Sequence, residues 1–251
     1  MISKNKIRFI SSLQTKKIRD EENLFTIEGE KVVAEFLEAG MRFKILAAVP
    51  GFISTLPPYA LKQIEIIEPV GNKELRQMSS FKTPHNALAV LEKLDNGYSA
   101  NNISGKIAAA LDCIQDPGNL GTIIRAAAWF GIDTLICSPD CVDIYNPKVI
   151  QASMGAILHV KVHYTDLAQY FKINKTSVFG ALLEGNSIYN QSLENEGIIL
   201  LGNESKGISD ELLPFITHKI SIPGVSGKPG IDSLNVGMAA SIIFSEFYRK
   251  R

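Results

Sequence analysis

Five polar side chains in three short stretches are the residues of this chain best suited to chemistry: Asn119, Arg125, Glu204, Ser233 and Asn235. Amide, hydroxyl and carboxylate groups make directed hydrogen bonds, and a guanidinium binds anions such as phosphate through paired hydrogen bonds. Most of the five lie next to glycine-rich segments. This combination indicates a binding site for a polar ligand.

Two glycine-rich loops in the last quarter of the chain each follow an apolar stretch. The stretches at 197–201 and 218–222 are predicted strands, which lead into Gly202-Asn-Glu-Ser-Lys-Gly207 and into residues 222–230. Ligands of α/β sheets collect beyond the carboxyl ends of strands, and glycine lets the backbone approach them closely. The second loop is not a phosphate-binding P-loop, because Lys228 is followed by proline rather than serine or threonine.

Asn119, Arg125 and Glu204 each have a structural interpretation beside the functional one. Asn119 follows the turn that begins at Asp116 and is a candidate helix cap. Arg125 stands in an otherwise apolar helix, where arginine is rare unless paired. It either pairs with a structural carboxylate or faces an anion-binding site. Glu204 is otherwise an exposed turn residue before a helix capped by Ser209.

Strands and helices alternate from residue 106 onwards. Strands are predicted at 107–114, 134–137, 157–164, 177–183, 198–201 and 219–222, and helices at 119–130, 147–155, 166–172, 209–215 and 235–249. Continuous apolar strands suit a mostly parallel sheet with helices on both faces. The last helix carries an apolar stripe, either core or a dimer face, made of Val236, Ala239, Ala240, Ile243 and Phe247.

The first ninety-odd residues form a separate α/β pattern. Helices are predicted around Ile7–Leu13 and at 29–39, 57–63 and 72–80, and strands at 25–27, 43–49, 64–67 and 87–94. A polar stretch with two glycines follows, as expected of a linker. We therefore predict a small domain at 1–95, a linker at 96–105 and a second domain at 106–251.

The composition is that of an ordinary globular protein, with 45% hydrophobic and 21% charged residues among 251. No apolar run is long enough to cross a membrane and the first residues do not resemble a signal peptide, so the expected address is cytoplasmic. Three cysteines do not make an even disulfide framework. A zinc site built from Cys137, Cys141, His159 and His163 is not expected, because the two histidines lie in an alternating strand pattern that explains them.

The net charge is zero, but the N-terminal segment is basic. Six Lys or Arg and no acidic residue occur from Lys4 to Arg19. The candidates for phosphate contacts within this segment are Lys4, Lys6, Lys16, Lys17 and Arg19. A solvated helical surface explains the segment equally well, since acidic residues follow at once.

Three stretches together resemble the SpoU (TrmH-like) RNA ribose methyltransferases of the SPOUT class. They are Asn119-Leu-Gly-Thr-Ile-Ile-Arg125, Gly202-Asn-Glu-Ser-Lys-Gly207, and Ile222-Pro-Gly with Ser233-Leu-Asn-Val236, in the order that the family has them. The likeness covers about residues 106–251. Residues 28–35 resemble the small ribosomal-protein-like RNA-binding domain that often precedes the catalytic domain. The segment 227–231 makes one loop about three residues longer than is usual in the family.

The resemblance implies a parallel-sheet domain with a deep C-terminal trefoil knot that binds S-adenosylmethionine and methylates a ribose 2′-hydroxyl of structured rRNA or tRNA. It implies catalytic roles for Arg125, Asn119, Glu204, Ser233 and Asn235. The implied cofactor-binding residues are Leu182, Leu183, Gly202, Asn203, Ile222, Pro223, Gly224 and Leu234. A homodimer joined through the knot is implied, with no metal and no membrane.

Two other classes of function remain as alternatives. One is a catalytically silent RNA-binding protein on the same scaffold. The other is a nucleotide-dependent enzyme of ordinary doubly wound fold, although no G-x-G-x-x-G motif follows a strand. Binding of S-adenosylmethionine, rather than of NAD or ATP, separates these possibilities.

Overall fold

The computed structural model describes residues 2–94, 103–224 and 233–249. The chain forms two compact units, one of Met1–Asp95 with Tyr145–Leu158 and one of Asn96–Ile144 with His159–Arg251. The segment 145–158 therefore belongs by its contacts to the first unit, which its place in the sequence did not indicate. The domain boundaries predicted from the sequence stay a prediction.

The first unit is a four-stranded mixed sheet with short helices. Its helices are α1 (Lys4–Ser12), α2 (Lys16–Glu22), α3 (Glu30–Glu38), α4 (Pro50–Ile53), α5 (Pro58–Leu61) and α6 (Asn72–Met78). Its strands are β1 (Leu24–Glu28), β2 (Phe43–Ala48), β3 (Ile64–Pro69) and β4 (Ala87–Glu92), in the order β1-β4-β2-β3. The strand β4 is antiparallel to both β1 and β2, whereas β2 and β3 are parallel.

Apolar side chains pack against this sheet. Ile10 and Leu13 pack with Leu75 and Met78 in one buried cluster. The helix α8 (Pro147–Ser153) packs against β1. Just before α8, the ring of Tyr145 lies 4.8 Å from that of Phe25 between centroids. These contacts explain why 145–158 joins the first unit.

The second unit is a six-stranded, all-parallel sheet. Its strands are β5 (Ile107–Leu111), β6 (Thr134–Cys137), β7 (Lys161–Tyr164), β8 (Val178–Ser187), β9 (Gly197–Leu201) and β10 (His218–Ser221), in the order β10-β8-β9-β5-β6-β7. Its helices are α7 (Pro117–Trp129), α9 (Leu167–Ile173) and α10 (Val236–Arg249). The strands β5 and β9 are buried along their whole length, as the continuous apolar pattern predicted.

The helices α7 and α10 pack against each other. At the start of α10, a Cβ on Gly237 would lie 3.0 Å from the side chain of Thr122, so the absence of a side chain allows the close approach. Of the stripe predicted on α10, Val236, Ala240, Ile243 and Phe247 are buried, and Ala239 is half-buried. The stripe is thus core of the unit rather than an exposed face.

Two elements differ from the predictions. The predicted strand 157–164 begins as a 3-10 helix at Ala156–His159, and the strand itself is β7. His159 and His163 therefore do not share a strand face, and His163 is buried. The predicted helix 209–215 is reduced to a 3-10 turn at Leu213–Phe215. The trefoil knot stays a prediction, since residues 225–232, with the longer loop, lie outside the described residues.

Candidate active site

The parallel sheet places three of the predicted stretches at one edge. The strands β5 and β9 are neighbours, with Leu111 opposite Leu201 at their carboxyl ends. The segment 112–116 and the loop 202–208 therefore leave the sheet side by side. Residues 222–224 follow β10 at the same edge, because β10 is parallel to β8 and β8 to β9.

A chain of side-chain hydrogen bonds joins three of the predicted catalytic residues. The Nδ2 group of Asn235 donates to Oδ1 of Asn119 at 2.8 Å. The Nδ2 group of Asn119 in turn donates to Oε1 of Glu204 at 2.7 Å. The starts of α10 and α7 and the loop after β9 are thus linked by one amide–amide–carboxylate chain.

Asn119 is available for this chain because another residue caps its helix. Asp116 is the N-cap of α7 and accepts the backbone N–H of Asn119 at 2.8 Å, and Pro117 occupies the first helical position. The prediction of Asn119 as the cap was therefore wrong. At α10 it is Asn235 that caps, since its Oδ1 accepts the N–H groups of Gly237 at 3.0 Å and Met238 at 3.3 Å.

The loop 202–207 is shaped by its own side chains and by a tight backbone approach. A Cβ on Gly202 would lie 2.2 Å from the carbonyl carbon of Gly207, so only glycine fits there. Asn203 and Gly207 exchange two backbone hydrogen bonds of 2.9 Å. The Oδ1 of Asn203 accepts the N–H groups of Ser205 and Lys206, and its Nδ2 donates to the Cys113 carbonyl at 2.8 Å. Asn203 thus organises the loop that presents Glu204.

Arg125 lies on the exposed side of α7. Its apolar neighbours Ile123, Ile124 and Ala127 are fully buried on the other side of the helix. Within the residues that the structure describes, no carboxylate pairs with Arg125, and Glu204 bonds Asn119 and Asn203 instead. Of the two alternatives for Arg125, the structural ion pair is therefore not formed.

The predicted adenine contacts lie in an irregular part of β8. Lys219 pairs with Gly180, but the next residue, Ile220, pairs with Asn186, so five residues of β8 leave the pairing with β10. Within that excursion Leu182 is half-buried against the core, and Leu183 is 76% exposed. Gly185 closes the excursion, since a Cβ there would lie 2.6 Å from the Ile220 backbone.

The remaining predicted cofactor residues lie at the surface near these loops. Ile222 is half-buried, and Pro223, Gly224 and Leu234 are exposed. Ser233, predicted to be catalytic, is exposed as well. Ser233 and Leu234 directly precede the capping Asn235. The structure thus bonds Asn119, Asn203, Glu204 and Asn235 to one another. Arg125 on α7 and Ser233, just before α10, are exposed.

The N-terminal basic residues differ from what was predicted. Arg19 is 2% exposed, and its guanidinium donates to the Leu13 and Gln14 carbonyls at 2.9 and 2.8 Å. It fastens the turn between α1 and α2 and is not a surface cation, which corrects its assignment to RNA contacts.

The four lysines of that cluster are more accessible, but three are paired. Lys6 bonds Glu68, and Lys16 and Lys17 form exposed i,i+4 pairs with Asp20 and Glu21. Exposed pairs of this kind are weak and are readily exchanged for a stronger anion. Lys4 is exposed.

Sequence reasoning missed the residues that hold the turn after β5. The N–H of Cys113 donates to Ser138 Oγ at 2.8 Å, and the N–H of Ile114 donates to Cys141 Sγ at 3.2 Å. The Cys137 thiol donates to the Cys141 sulfur, which lowers the pKa of Cys141 to about 7. No sequence motif marks these contacts. The cap Asp116 was visible, however, as an acid directly before Pro-Gly.

The described residues contain no group of three or more His, Cys, Asp or Glu side chains arranged to hold a metal ion. No helix among them is long and apolar enough to cross a membrane.

Two family models match this chain. Residues 106–245 match the SpoU rRNA methylase family. Residues 4–89 match the MRM3-like substrate binding domain. The two matched ranges do not overlap.

Relatives of known name are similar over nearly the whole chain. The 23S rRNA (guanosine(2553)-2'-O)-methyltransferase RlmP of Bacillus subtilis is 28% identical, over 95% of this chain and 94% of its own length. Human mitochondrial rRNA methyltransferase 3 is 26% identical, over 97% of this chain and 72% of its own length. A solved structure from Porphyromonas gingivalis, assigned to the TrmH family of RNA methyltransferases, is 33% identical with a TM-score of 0.86, and covers 100% of both chains.

Proposed function

The chain belongs to the SpoU rRNA methylase family, and from that premise we propose that it transfers a methyl group from S-adenosylmethionine to a ribose 2′-hydroxyl of structured RNA, with rRNA the favoured substrate. The observation that carries the proposal is the Asn235–Asn119–Glu204 chain of hydrogen bonds at the carboxyl edge of a parallel sheet. The names of the Bacillus and human relatives support rRNA as the substrate class.

The residues at this edge fit S-adenosylmethionine. Leu182 and Leu183, in the excursion of β8, offer an apolar surface for an adenine ring. The backbone at Gly202 and 222–224 offers peptide groups, and among the described residues an added Cβ at Gly224 would meet nothing within 4 Å. Asn203 shapes the loop between them, since its own backbone groups are bonded to Gly207. Pro223 and Leu234 border the same space in this proposal. When bound, the cofactor supplies an electrophilic methyl group.

Positioning is the main task of the protein in this reaction, because in-line transfer of a methyl group creates little new charge. Asn235 and Asn119 hold the starts of α10 and α7 in a fixed relation to Glu204. Ser233, two residues before the cap of α10, supplies an exposed hydroxyl that can orient the ribose. Glu204 anchors the two amides and thereby the loop that carries it.

Arg125 binds the phosphate next to the target ribose in this proposal. Its exposed guanidinium has no carboxylate partner among the described residues, and arginine binds phosphate with paired hydrogen bonds. A guanidinium stays protonated in proteins, so it is a poor acceptor for the proton of the 2′-hydroxyl. Orienting the nucleotide is the easier role.

The first unit is proposed to bind the RNA through Lys4, Lys6, Lys16 and Lys17. The MRM3-like substrate binding match over residues 4–89 supports this role. Reversing the charge of Lys4, Lys16 and Lys17 should weaken RNA binding and reduce its dependence on salt, since fewer counterions are released. Binding that keeps its affinity and its salt dependence would contradict the assignment.

A homodimer is proposed as the working form. Trp129 is 83% exposed on α7, and Met238 and Tyr248 are 62% and 59% exposed on α10. These helices pack against each other, so the exposed rings and thioether lie on neighbouring elements. Large exposed apolar groups of this kind are typical of protein interfaces.

The test is methyl transfer from radiolabelled S-adenosylmethionine to RNA taken from host cells that lack the protein, so that the target is unmethylated. With the wild-type protein, we expect label in one RNA size class. Within that RNA, one phosphodiester bond should become resistant to alkaline hydrolysis, because its neighbouring 2′-hydroxyl is methylated. The Arg125→Ala variant should label that RNA about a hundredfold more slowly. Cofactor binding without transfer to any RNA or ribosomal subunit would instead favour a silent RNA-binding protein.

A further inference from the structure

Asp112 is a buried carboxylate outside the residues considered so far. It follows β5 directly and is 5% exposed. One of its oxygens, Oδ2, accepts both the backbone N–H and the hydroxyl of Ser209, each at 2.7 Å. Its own N–H donates to the Leu201 carbonyl at 2.8 Å. A buried carboxylate in such contacts is costly to lose, because both donors would be left without an acceptor.

Ser209 and Asn203 lie at the two ends of the loop that carries Glu204. The Asn203 end is bonded to the Cys113 carbonyl, and the Ser209 end to the Asp112 carboxylate. Both ends of the loop are therefore fixed to two consecutive residues of the segment after β5. Between these anchors, Glu204 accepts the hydrogen bond of Asn119.

The two anchoring residues are themselves held from the far side. Cys113 has a φ of 55°, a conformation that side-chain-bearing residues rarely adopt, and its N–H is bound by Ser138. Asp112 is tied to β9 through the Leu201 carbonyl. The segment after β5 is thus a fixed support for the loop rather than a mobile connection.

We propose that Asp112 is a positioning residue for methyl transfer, which acts through Ser209 to hold the loop 202–208 where Glu204 meets Asn119. The proposal rests on the proposed function, but it makes a separate statement about the loop. Asp112 is 5% exposed and bonded to Ser209, so its carboxylate is not displayed on the surface that would meet RNA or cofactor. Its loss should therefore lower kcat without a comparable change in RNA affinity.

The test compares Asp112→Ala with Asp112→Asn in the full-length protein. Asparagine keeps an oxygen that can accept both donors of Ser209, whereas alanine removes it. We expect kcat to fall by roughly tenfold or more in Asp112→Ala and to stay within about threefold of wild type in Asp112→Asn. The control is Asp133→Ala, since Asp133 precedes β6 at the opposite edge of the sheet and bonds Lys106.

A double-mutant cycle separates positioning from a general loss of stability. If Asp112 acts by keeping Glu204 on Asn119, Asp112→Ala added to Asn119→Ala should lower kcat little further. Losses that multiply fully would overturn the proposal. Ser209→Ala provides a milder second variant, because the backbone N–H still reaches Asp112; we expect a loss of about twofold to fivefold and the same non-additivity.

Hydrogen exchange measured by mass spectrometry tests the loop without any activity. Peptides that cover 202–209 should exchange about tenfold faster in Asp112→Ala, and no faster in Asp112→Asn or Asp133→Ala. An unchanged exchange rate in Asp112→Ala would contradict the proposal, even if the wild-type protein methylated RNA. If Asp112→Ala exchanges faster but the wild-type protein methylates no RNA, the anchoring of the loop is supported and the proposed function is rejected.

Discussion

Arg125 and Asn119 lie six residues apart on one helix, yet the structure gives them opposite environments. Asn119 is bonded on both sides, to Asn235 and to Glu204. Arg125 is exposed, with no carboxylate partner in the described part of the chain. Asn119, whose hydrogen bonds are already made, is suited to hold the two helix starts and the loop in place. The exposed cation Arg125 on the same helix is suited to bind an anion of the substrate.

The first prediction concerns Arg125. Replacement by alanine should lower methyl transfer by about a hundredfold and weaken RNA binding by about tenfold, because a phosphate contact with two hydrogen bonds is lost. Arg125→Lys should recover part of the affinity but little of the rate, since lysine lacks the planar fork. Filter binding and single-turnover kinetics measure the two quantities. The control is Lys172→Ala on α9, an exposed cation of the same unit.

The two measurements distinguish two roles for Arg125. If RNA affinity stays at the wild-type value while the rate collapses, the guanidinium acts on the reacting hydroxyl and not on the phosphate. That result would contradict the phosphate role.

The second prediction concerns His163 and pH. Burial in β7 lowers the pKa of His163 below its usual 6.5, and the charge of Lys161 acts in the same direction. The unfolded state then binds more protons than the native state, so stability is lost as the pH falls below about 6.5. Urea unfolding between pH 8 and 5 should show this decline, with a slope of at most about 1.4 kcal/mol per pH unit from one histidine.

The matched variant is His163→Gln, which does not titrate. Its unfolding free energy should be lower than that of the wild type at pH 8, and it should decline less between pH 7 and 5. An equal decline in both proteins would assign the pH dependence to other groups.

At the level of elements, the positions of the catalytic side chains depend on where helices begin. The helix α7 begins under the Asp116 cap, and α10 begins under Asn235. These two caps differ in kind, because Asp116 serves only its own helix in the described contacts, whereas Asn235 also bonds Asn119. The start of α7 therefore decides which way the Asn119 amide points.

The third prediction compares two caps of the same type. Asp116 and Asp166 each accept the N–H of the third helical residue, at 2.8 Å in α7 and 3.0 Å in α9. Replacing either by alanine should lower the unfolding free energy by about 1 kcal/mol. Only Asp116→Ala should also lower kcat, because α7 carries Asn119 and Arg125. Equal activity of the two variants would show that the start of α7 does not control the site.

Elements with local causes were predictable from the sequence, and those set by distant partners were not. The strand 134–137 and the helix 235–249 follow from apolar periodicity, and β6 has the predicted bounds. The excursion in β8 depends on its pairing with β10, which no local pattern of 177–183 contains. In the same way, Arg19 is buried by carbonyls of the preceding turn, although its neighbours in sequence are charged.

In the candidate site, too, residues marked by local sequence were predictable and their distant partners were not. Glycine-rich loops after apolar strands indicated Gly202 and Glu204 from the sequence alone, because parallel strands bring such loops together. The partners of those residues were not indicated. Asn119 was interpreted either as a helix cap or as a site residue, but its bond to Glu204 was not foreseen, and Asp112 carried no motif. Side-chain pairing across 85 or more residues is set by the fold and leaves no local pattern in the sequence.

At the scale of the whole molecule, several large apolar side chains of the second unit are exposed. Trp129, Met238 and Tyr248 are mostly exposed and lie on α7 and α10, the two helices whose starts form the site. The ring of Tyr248 contacts that of Phe130, with 5.9 Å between centroids. A second copy that covered these residues would also stabilise the helices that position Asn119 and Asn235.

The fourth prediction is that this exposed surface of α7 and α10 is covered by a second copy of the chain. Wild-type protein should sediment as a dimer at micromolar concentration, and Trp129→Glu or Met238→Glu should sediment as a monomer, because a charge would be buried at the interface. Ile173→Glu is the control, since Ile173 on α9 is 75% exposed but lies on a different helix. It should leave the dimer intact.

Loss of the dimer should also lower activity, because the helices that position Asn119 and Asn235 would lose the support of the second copy. Methyl transfer by the two monomeric variants should drop at least tenfold and recover in part as protein concentration rises, since mass action restores the dimer. A monomeric Trp129→Glu protein with the full wild-type rate at every concentration would show that each protomer has a complete site. The exposed groups on α7 and α10 would then serve another contact, with no part in methyl transfer.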